Sequence, residues 1–449
     1  MSHDHTQQSR PSAPPRTLRK IDYFNQLLER DHGSDASKLY QESKSAGNGG
    51  KQVCFIPDPN LRSDVVHMQD NVFFMDALVT ADEMNVILPA SGHFSVIADN
   101  VEGDMGLKRV RIDKWLLLMV DVHRMYSEYF NIRVVRWETF FSWLMGGDVT
   151  HPETGPCRGA DLVLGGIDYT TEYINTVNGI TRENYQQFDE RMDVFASHMR
   201  IWPPIAPSRE GAIKNHRIEM LDYVSTYVTR SPRPESMLWD GQHVPYGKVL
   251  KRTHSAFGNH VFLPTAPPPS VQQLQGLCDI PGRQWIVQDW VPTLRQLGEY
   301  KVYFIEGEIV WISVARFNEN TSGWHTMDTN NETRRLHEVA AMLRAGPILH
   351  DYLFLPEPPQ GIPHLSDLIM FSKRTFEGLT SREHGYYGDS FLLQWCRMDV
   401  GIMTSGDSCW YFVNEVETNM GLGLFGEGCS RAVMNGLAGL WHTLLYSPS

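Results

Sequence analysis

The chain has 449 residues, more than one ordinary hydrophobic core accommodates, so a single small module is excluded and two or three domains are expected. Hydrophobic residues make up 41% and charged residues 21%, the usual proportions of a globular protein, which excludes a disordered polymer and a coiled coil. The net charge is −13 at pH 7, and lysine and arginine are scattered rather than clustered, which argues against a nucleic acid as partner.

The amino-terminal segment lacks the features of a targeting sequence. Residues 1–16 are rich in proline and serine and contain no apolar stretch of the kind that a secretory signal needs, so we expect a disordered tail. The most apolar stretch, residues 116–120, is closed by Asp121. The six cysteines lie far apart, as expected of reduced thiols in a cytosolic protein. The sequence therefore predicts a cytoplasmic protein with no membrane partner.

Residues 17–205 are predicted to form a helix followed by an α/β domain. Apolar residues recur at helical spacing in some segments, and short apolar runs typical of buried strands occur in others. Because strands alternate with helices, an α/β layer is expected. The predicted elements are helices at 17–30, 114–130 and 183–200, a glycine-rich linker at 43–51, strands at 52–57, 132–137 and 160–165, and a proline-rich boundary at 202–207.

The second half of the chain begins with a candidate phosphate-binding segment. A strand predicted at residues 246–252 ends with Lys251 and is followed by a loop of small residues that includes Ser255 and Gly258. Backbone N–H groups and an ammonium that face the same point form a suitable clamp for an anion. The alternative for this segment alone is an ordinary hairpin with a solvated lysine.

Two further segments carry candidate contacts to a nucleoside. The strand predicted at residues 285–292 contains two polar residues and ends at a proline, and its main-chain groups could hydrogen-bond to a purine base. The alternative is an ordinary strand at the edge of a sheet. Residues 298–312 alternate and turn at Glu306 and Gly307, which predicts a β-hairpin. Glu299 stands at the mouth of that hairpin, where its carboxylate could accept hydrogen bonds from ribose hydroxyls.

Four charged residues near the carboxyl terminus suggest a metal site. Arg397 and Asp399 share one face of a predicted strand, and Glu415 and Glu417 share one face of the next strand. A hairpin turn at residues 404–407 would bring the three acids around one point. Clustered carboxylates repel one another unless a cation lies between them, and hard oxygen ligands suit Mg²⁺. The alternative is that these acids face solvent.

The order of these segments resembles the ATP-grasp superfamily, which includes D-alanyl-D-alanine ligase and related carboxylate-amine ligases. The resemblance spans residues 206–430, just over half of the chain. It implies two α+β subdomains that grip ATP, a central lid subdomain at 206–300 and a C-terminal subdomain with the metal site at 301–449. The α/β domain before them then occupies the place of the family's pre-grasp domain.

The resemblance also assigns roles to the nucleotide-binding residues. Lys214 and Lys251 would contact the phosphates, and the loop from Ser255 to Gly258 would close over them. Glu299 matches the family's ribose-binding acid. Adenine would be held, largely by main-chain groups, at Gln288, Asp289, Trp290 and Val291.

The same resemblance assigns the metal and the reacting groups. Asp399 and Glu415 match the two metal-bridging acids, and Glu417 stands where the family usually has asparagine. Arg397 matches the arginine that steadies charge on the transferred phosphoryl group or the tetrahedral intermediate. Lys301 stands where many members have arginine. The expected metal is Mg²⁺, with Mn²⁺ as the alternative.

The activity implied by the resemblance is an ATP-dependent carbon-nitrogen ligase that forms an acyl phosphate and releases ADP and phosphate. Its substrates would be a small-molecule carboxylate and an amine, with Arg316 and Asn419 as candidate substrate contacts. Two alternatives remain open: an ATP-grasp phosphotransferase that acts on an alcohol, and a nucleotide-binding regulatory protein without turnover. The sequence does not determine the oligomeric state, and it is compatible with a homodimer.

Overall fold

Four β-sheets, with helices packed on them, make up the parts of the chain that the structure describes. The predicted tail and first helix lie outside these parts. In this computed structural model the described residues are 50–56, 72–79, 94–98, 108–113, 129–165, 179–203, 207–253, 260–278, 283–315, 332–334, 365–405, 408–418 and 426–446.

The first sheet is parallel and forms the core of the predicted α/β domain. Its central strand is buried from Val53 to Ile56, as expected for a parallel sheet with both faces covered. Helices pack on it through a cluster of aromatic side chains, among them Phe140 and Phe188. The sheet order is β5-β1-β6-β7, with β1 (Lys51–Ile56), β5 (Phe130–Val134), β6 (Leu162–Gly165), β7 (Ile201–Trp202), α1 (Trp137–Gly146) and α2 (Tyr185–His198).

Most of the elements predicted for this domain are confirmed, and two boundaries are wrong. The strands predicted at 52–57 and 160–165 and the helix predicted at 183–200 correspond to β1, β6 and α2. Trp137 begins α1 instead of ending a strand, because its indole packs into the helical core against Phe140 and Phe188. Phe130 begins β5 instead of ending the helix predicted at 114–130. Residues 114–128 of that predicted helix lie outside the described residues.

A small antiparallel sheet is formed by residues that come between β1 and β5 along the chain. No strand was predicted in this region. Its order is β2-β4-β3, with β2 (Val72–Val79), β3 (Phe94–Ala98) and β4 (Lys108–Asp113).

The second half of the chain begins with a four-stranded antiparallel sheet. Its own small core contains Leu250, Leu274, Trp285 and Val287. The strand predicted at 285–292 is a central strand rather than an edge strand, because it pairs with a neighbour on each side. The sheet order is β10-β9-β11-β8, with β8 (Ser236–Leu238), β9 (Lys248–Arg252), β10 (Val261–Phe262), β11 (Trp285–Asp289) and the short helix α4 (Val271–Gly276).

A five-stranded antiparallel sheet follows, joined to the four-stranded sheet by the short helix α5 (Pro292–Leu297). The predicted hairpin turn is confirmed: Glu306 and Gly307 both have positive φ, as a tight turn between twisted strands requires. The sheet order is β14-β13-β12-β15-β16, with β12 (Glu299–Ile305), β13 (Glu308–Ala315), β14 (Glu332–Arg334), β15 (Trp395–Ser405) and β16 (Ser408–Glu417).

The two faces of this five-stranded sheet differ in character. One face packs on two helices through the main hydrophobic core, which includes Val302, Met398, Val400, Val413 and Val416. The opposite face carries charged residues and contacts a third helix. The helices are α3 (Pro207–Tyr223), continued by a π-helix (Val224–Thr229), and α6 (Leu365–Tyr387) on the core side, and α7 (Gly426–Tyr446) on the other.

The predicted fold class is confirmed. A parallel α/β sheet is followed by two antiparallel sheets with their own helices, which is an α+β arrangement. Within the described parts of the chain, every helix is too short or too polar to cross a membrane. None of the five cysteines whose side chains are described forms a disulfide bond.

Candidate functional site

The charged face of the five-stranded sheet brings together residues from three neighbouring strands. Lys301 on β12 lies opposite Asp399 on β15, and Asp399 lies opposite Glu415 on β16. Arg397 lies opposite Glu417 one step further along. Since side chains alternate between the two faces of a strand, residues 299 and 301 and residues 397 and 399 share this face. The apolar residues between them point into the core.

Lys301 lies at the centre of this charged face. Its ammonium donates hydrogen bonds to Asp399 Oδ2 at 2.5 Å and to Glu299 Oε2 at 2.8 Å. Lys301 is 3% exposed and Asp399 2% exposed, so the ion pair is shielded from water. Burial alone would lower the pKa of Lys301, but the Asp399 and Glu299 carboxylates outweigh it and raise this pKa.

Arg397 holds the other side of the Asp399 carboxylate. Its guanidinium donates from Nε to Asp399 Oδ1 at 2.7 Å and from Nη2 to Oδ2 at 3.1 Å, which is a bidentate contact. Burial favours the neutral form of Asp399, yet the two cations beside it outweigh that effect and hold its pKa below the usual range. Asp399 is therefore ionised at neutral pH and is compensated by both neighbours.

Lys251 reaches this face from the four-stranded sheet. Its ammonium donates a 2.8 Å hydrogen bond to Asn414 Oδ1, and Asn414 Nδ2 donates to Glu299 Oε1. Burial lowers the pKa of Lys251, and the nearby Glu415 and Glu299 carboxylates oppose that shift without cancelling it. The five side chains from Lys251 through Asn414, Glu299, Lys301 and Asp399 thus form a continuous polar chain between two sheets, which Arg397 extends.

Glu415 and Glu417 lie at the margin of this polar chain. Both are half-buried, with Glu415 close enough to Lys251, and Glu417 to Arg397, to influence their protonation. Carboxylate oxygens from Asp399 and Glu415, opposite one another on adjacent strands, fit Mg²⁺ in chemical type. Among the described residues no three acidic, histidine or cysteine side chains converge on one point, since Asp399 is turned toward its two cations. The three-acid metal site stays a prediction.

The segment expected to face adenine lies at the end of β11. Gln288 is buried and donates from its amide to Ser236 Oγ at 3.2 Å, while its backbone pairs with both neighbouring strands. Asp289 accepts a 2.5 Å hydrogen bond from Lys248. Trp290 and Val291 follow as the link to α5, and Val291 O accepts a hydrogen bond from Leu294 N. The adenine contacts predicted for Gln288, Asp289, Trp290 and Val291 stay predictions.

Other predicted site residues lie at or beyond the limits of the described structure. Lys214 lies within α3, seven residues after the start of the helix at Pro207, and its predicted contact to the phosphates stays a prediction. The side chain of Lys214 is outside the described residues. So are the loop residues Ser255 and Gly258 and the candidate substrate contacts Arg316 and Asn419.

A second buried ion pair lies where β16 ends. Arg217 on α3 donates from Nε to Glu383 Oε1 on α6 at 2.6 Å, and Ser390 Oγ donates to Glu383 Oε2 at 2.8 Å. Arg217 is 3% exposed and Glu383 1% exposed. Arg217 Nη1 also contacts Thr418 Oγ1 at 3.4 Å, which ties this pair to the residue just before Asn419.

Sequence reasoning missed two groups of residues at the site. Asn414 was overlooked because strict alternation would place it on the face opposite Glu415. Arg217 and Glu383 were overlooked because they are 166 positions apart and belong to two helices whose pairing is not local. Lys301 was noted only as a departure from the family, although its position two residues after Glu299 was a signal that both share a strand face.

Comparison with known proteins gives similarity at the level of structure alone. No family model matches the sequence, and no curated protein matches it. The solved structures that are similar to it include the following two. One is the D-cycloserine synthetase DcsG, with 12% identity and a TM-score of 0.46 over 86% of this chain and 99% of that one. The other is an ATP-grasp RimK domain protein from Sphaerobacter thermophilus DSM 20745, with 14% identity and a TM-score of 0.37 over 76% and 97%.

Both likenesses concern the fold. What either protein acts on is a property of that protein.

Proposed function

We propose that this chain is an ATP-grasp enzyme, a Mg²⁺-dependent ligase that joins a small-molecule carboxylate to an amine and releases ADP and phosphate. The observation that carries the proposal is the polar chain from Lys251 to Arg397. Three cations from two different sheets meet there beside the carboxylates of Glu299 and Asp399. A polyphosphate and an attacking carboxylate are both anionic, so a catalyst for their reaction needs such cations between them.

The proposed roles follow from the position of each charge. Lys251, which is held by a neutral amide rather than a carboxylate, would contact the phosphates of ATP. Arg397 would steady the negative charge of the transferred phosphoryl group. Asp399, Glu415 and Glu417 would hold Mg²⁺, with Mn²⁺ as the alternative metal. Bound Mg²⁺ would neutralise charge on the phosphates.

The remaining contacts to the nucleotide and substrate complete the proposal. Glu299 would accept hydrogen bonds from the ribose, the main chain of residues 288–291 would hold adenine, and Lys214 would add a second ammonium. The loop from Ser255 to Gly258 would cover the phosphates. Arg316 and Asn419 would contact the substrate.

The proposed reaction balances in two steps. A substrate carboxylate oxygen attacks the γ-phosphorus of ATP, the bond to the β,γ-bridging oxygen breaks, and ADP leaves. The nitrogen of the amine then attacks the carbonyl carbon of the acyl phosphate, phosphate leaves with the bonding electrons, and the nitrogen loses a proton. Because ATP supplies the activation, no covalent nucleophile of the protein takes part.

The direct test is product analysis on the full-length chain with ATP and Mg²⁺. Candidate acids and amines are first selected by the rise in melting temperature that they cause beside a non-hydrolysable ATP analogue, since a ligand of the folded state raises apparent stability. We expect ADP and phosphate to form in equal amounts. The full rate should be reached only when both substrates are present. Formation of AMP and pyrophosphate would overturn the proposal, because it indicates adenylation.

A phosphotransferase that acts on an alcohol is a second candidate, since the same cations would serve it. The two are distinguished by the fate of the phosphoryl group. A ligase releases it as inorganic phosphate and gives a hydroxamate when hydroxylamine replaces the amine. A phosphotransferase leaves a stable phosphoester and gives no hydroxamate. A regulatory protein would bind the ATP analogue and release no ADP with any substrate pair.

A further inference from the structure

Asn414 occupies an irregular position in β16. The pairing of β15 with β16 runs from Val400 with Val413 directly to Asp399 with Glu415, so Asn414 is the extra residue of a β-bulge. A bulge breaks the alternation of side chains and turns one of them toward a new direction. Val413 and Val416 remain in the hydrophobic core, and Asn414 joins Glu415 on the charged side of the sheet.

The amide of Asn414 connects two residues of opposite charge. Its Oδ1 accepts a 2.8 Å hydrogen bond from Lys251 Nζ, and its Nδ2 donates to Glu299 Oε1. A lysine ammonium can only donate, and a carboxylate can only accept. The orientation of the amide is therefore fixed by its two partners. The reverse orientation would place the amide NH₂ group against the ammonium of Lys251 and the amide oxygen against the carboxylate of Glu299.

This bridge joins the four-stranded sheet to the five-stranded sheet. Lys251 belongs to β9 of the four-stranded sheet, whereas Glu299 and Asn414 belong to β12 and β16 of the five-stranded sheet. Asn414 thus sets the position of Lys251 relative to Glu299 without an ion pair between them. A carboxylate in its place would neutralise the ammonium and would repel Glu299.

We propose that Asn414 is a positioning residue that fixes Lys251 for the phosphates of ATP and Glu299 for the ribose, while leaving the charge of Lys251 free for the polyanion. This inference rests on the proposed function, because it names the residue that organises the same nucleotide site. A neutral acceptor uses one of the three N–H groups of the ammonium and none of its charge. A lysine that is held by a neutral acceptor can pair its positive charge with the phosphates of a bound nucleotide.

The test compares binding of two ligands by isothermal titration calorimetry: the β,γ-imido analogue of ATP with Mg²⁺, and adenosine. In Asn414→Asp, we expect the analogue to bind at least tenfold more weakly, with a much smaller loss for adenosine, because the new carboxylate neutralises Lys251 and adenosine has no phosphate. In Asn414→Ala, both ligands should bind several-fold more weakly. A merely structural role would weaken both ligands equally in both variants.

A matched control is Asn131→Asp. Asn131 is a half-buried amide that donates to the Gln52 amide at 2.9 Å on a neighbouring strand of the first sheet, a different sheet from the one that carries the charged face. We expect this variant to bind both ligands within twofold of the wild type. If Asn414→Asp fails to fold, as judged by circular dichroism, Asn414→Ala is compared in the wild-type and the Lys251→Met backgrounds. Because Asn414 acts on the phosphates through Lys251, Asn414→Ala should weaken binding of the analogue much less in the Lys251→Met background, and an undiminished loss there would overturn the inference.

The outcomes separate the two proposals. If the wild type binds neither ligand, the proposed function is wrong, and this inference is overturned with it. If the wild type binds the analogue and both Asn414 variants bind it within twofold of that affinity, the inference alone is overturned. A tenfold loss for the analogue with adenosine binding largely kept supports the inference even where no substrate pair has yet been found.

Discussion

Lys301 Nζ lies 2.5 Å from Asp399 Oδ2 across two neighbouring strands, and both side chains are almost completely buried. Each partner has a second contact, Lys301 to Glu299 and Asp399 to Arg397, so opposite charges alternate along the face of the sheet. Buried charges are tolerated only when they are paired and hydrogen-bonded. The stability of this sheet and the electrostatics of the candidate site therefore depend on the same residues.

Replacement of Lys301 by methionine should destabilise the protein strongly. The change keeps most of the side-chain volume but leaves the buried carboxylates of Glu299 and Asp399 with one cation fewer. Breaking a buried ion pair by removing one partner costs about 3–5 kcal/mol. The measurement is the free energy of unfolding from urea titration at pH 7, followed by fluorescence of the buried tryptophans.

Lys248→Met is the matched control for this substitution. Lys248 also contacts two carboxylates, Asp289 at 2.5 Å and Glu235 at 3.2 Å, but these groups are substantially exposed. Exposed ion pairs contribute about 0–1 kcal/mol, so we expect Lys248→Met to cost less than about 1 kcal/mol. Equal losses in the two variants would contradict the assignment of Lys301 to a buried, stability-determining network.

Binding of the ATP analogue should weaken with rising pH earlier than an ordinary lysine would require. Burial lowers the pKa of Lys251 from the ordinary value of about 10.4. The ammonium is charged below its pKa and neutral above it, so attraction for phosphate is present below the lowered pKa and is lost as pH rises through it. The measurement is the dissociation constant of the analogue between pH 7 and pH 10.

Lys251→Arg separates this effect from general alkaline damage. A guanidinium stays protonated throughout this pH range, so the alkaline loss of affinity should disappear or shift upward in the variant. Its affinity at pH 7 should be lower than that of the wild type, because the longer planar group does not fit the Asn414 contact. If Lys251→Arg loses affinity for the analogue at the same alkaline pH as the wild type, another group is responsible for that loss.

The acids of the last hairpin could be predicted from the sequence because their spacing follows the geometry of a strand. Residues two apart share a face, and the hairpin brings Asp399 opposite Glu415 and Arg397 opposite Glu417. What the spacing could not show is which cation lies beside each acid. Lys301 reaches Asp399 from a strand 98 positions earlier, and only the order of the strands in the sheet determines that contact.

Asn414 shows the limit of the alternation rule. A regular strand would direct Asn414 and Glu415 to opposite faces, and the single extra residue of the bulge overrides this. Bulges depend on how two strands pair, so the sequence of one strand alone does not reveal them. The same reason explains why the central position of β11 was not predicted: both of its partners are distant in sequence from it.

The helix α7 was missed for a different physical reason. Its sequence contains Gly428, Gly436 and Gly439, and glycine disfavours the interior of a helix. In the structure a Cβ atom on Gly436 would lie 2.5 Å from Ile305 Cδ1, so the absence of a side chain allows the helix to pack closely on β12. A residue that lowers the predicted helical propensity thus favours the tertiary contact.

Under the proposed function, Glu415→Gln should remove most of the ligase activity at little cost to folding. Glu415 is half-buried at the margin of the charged face, and glutamine keeps its shape but loses the negative charge that a metal ligand supplies. Loss of one group that stabilises the transition state typically lowers kcat about 100-fold or more. Mn²⁺ binding, followed by electron paramagnetic resonance, should weaken in parallel.

The control for this variant is Glu308→Gln. Glu308 lies at the start of β13 in the same sheet and pairs with Lys373 at 2.9 Å on the exposed surface. Its replacement should leave ADP formation and Mn²⁺ affinity within twofold of the wild type. If Glu415→Gln also retains both, the metal-ligand role of Glu415 is refuted.

Glu383→Gln should destabilise the protein by about 3–5 kcal/mol, because it leaves the Arg217 guanidinium buried beside a neutral group. Glu383 is 1% exposed and joins α6 to α3, so the loss should appear as a lower free energy of unfolding of the second half of the chain. Glu377→Gln, on the exposed side of the same helix, should change that free energy by less than about 0.5 kcal/mol.

The double variant Arg217→Met with Glu383→Leu tests whether the cost arises from the uncompensated charge. Removal of both charges together abolishes the penalty that each single change creates, so the double variant should be more stable than Glu383→Gln. If the pair only stabilises the fold, nucleotide binding should then return with stability. If binding stays weak in the refolded double variant, Arg217 also holds Thr418 and the end of β16 in place through its 3.4 Å contact.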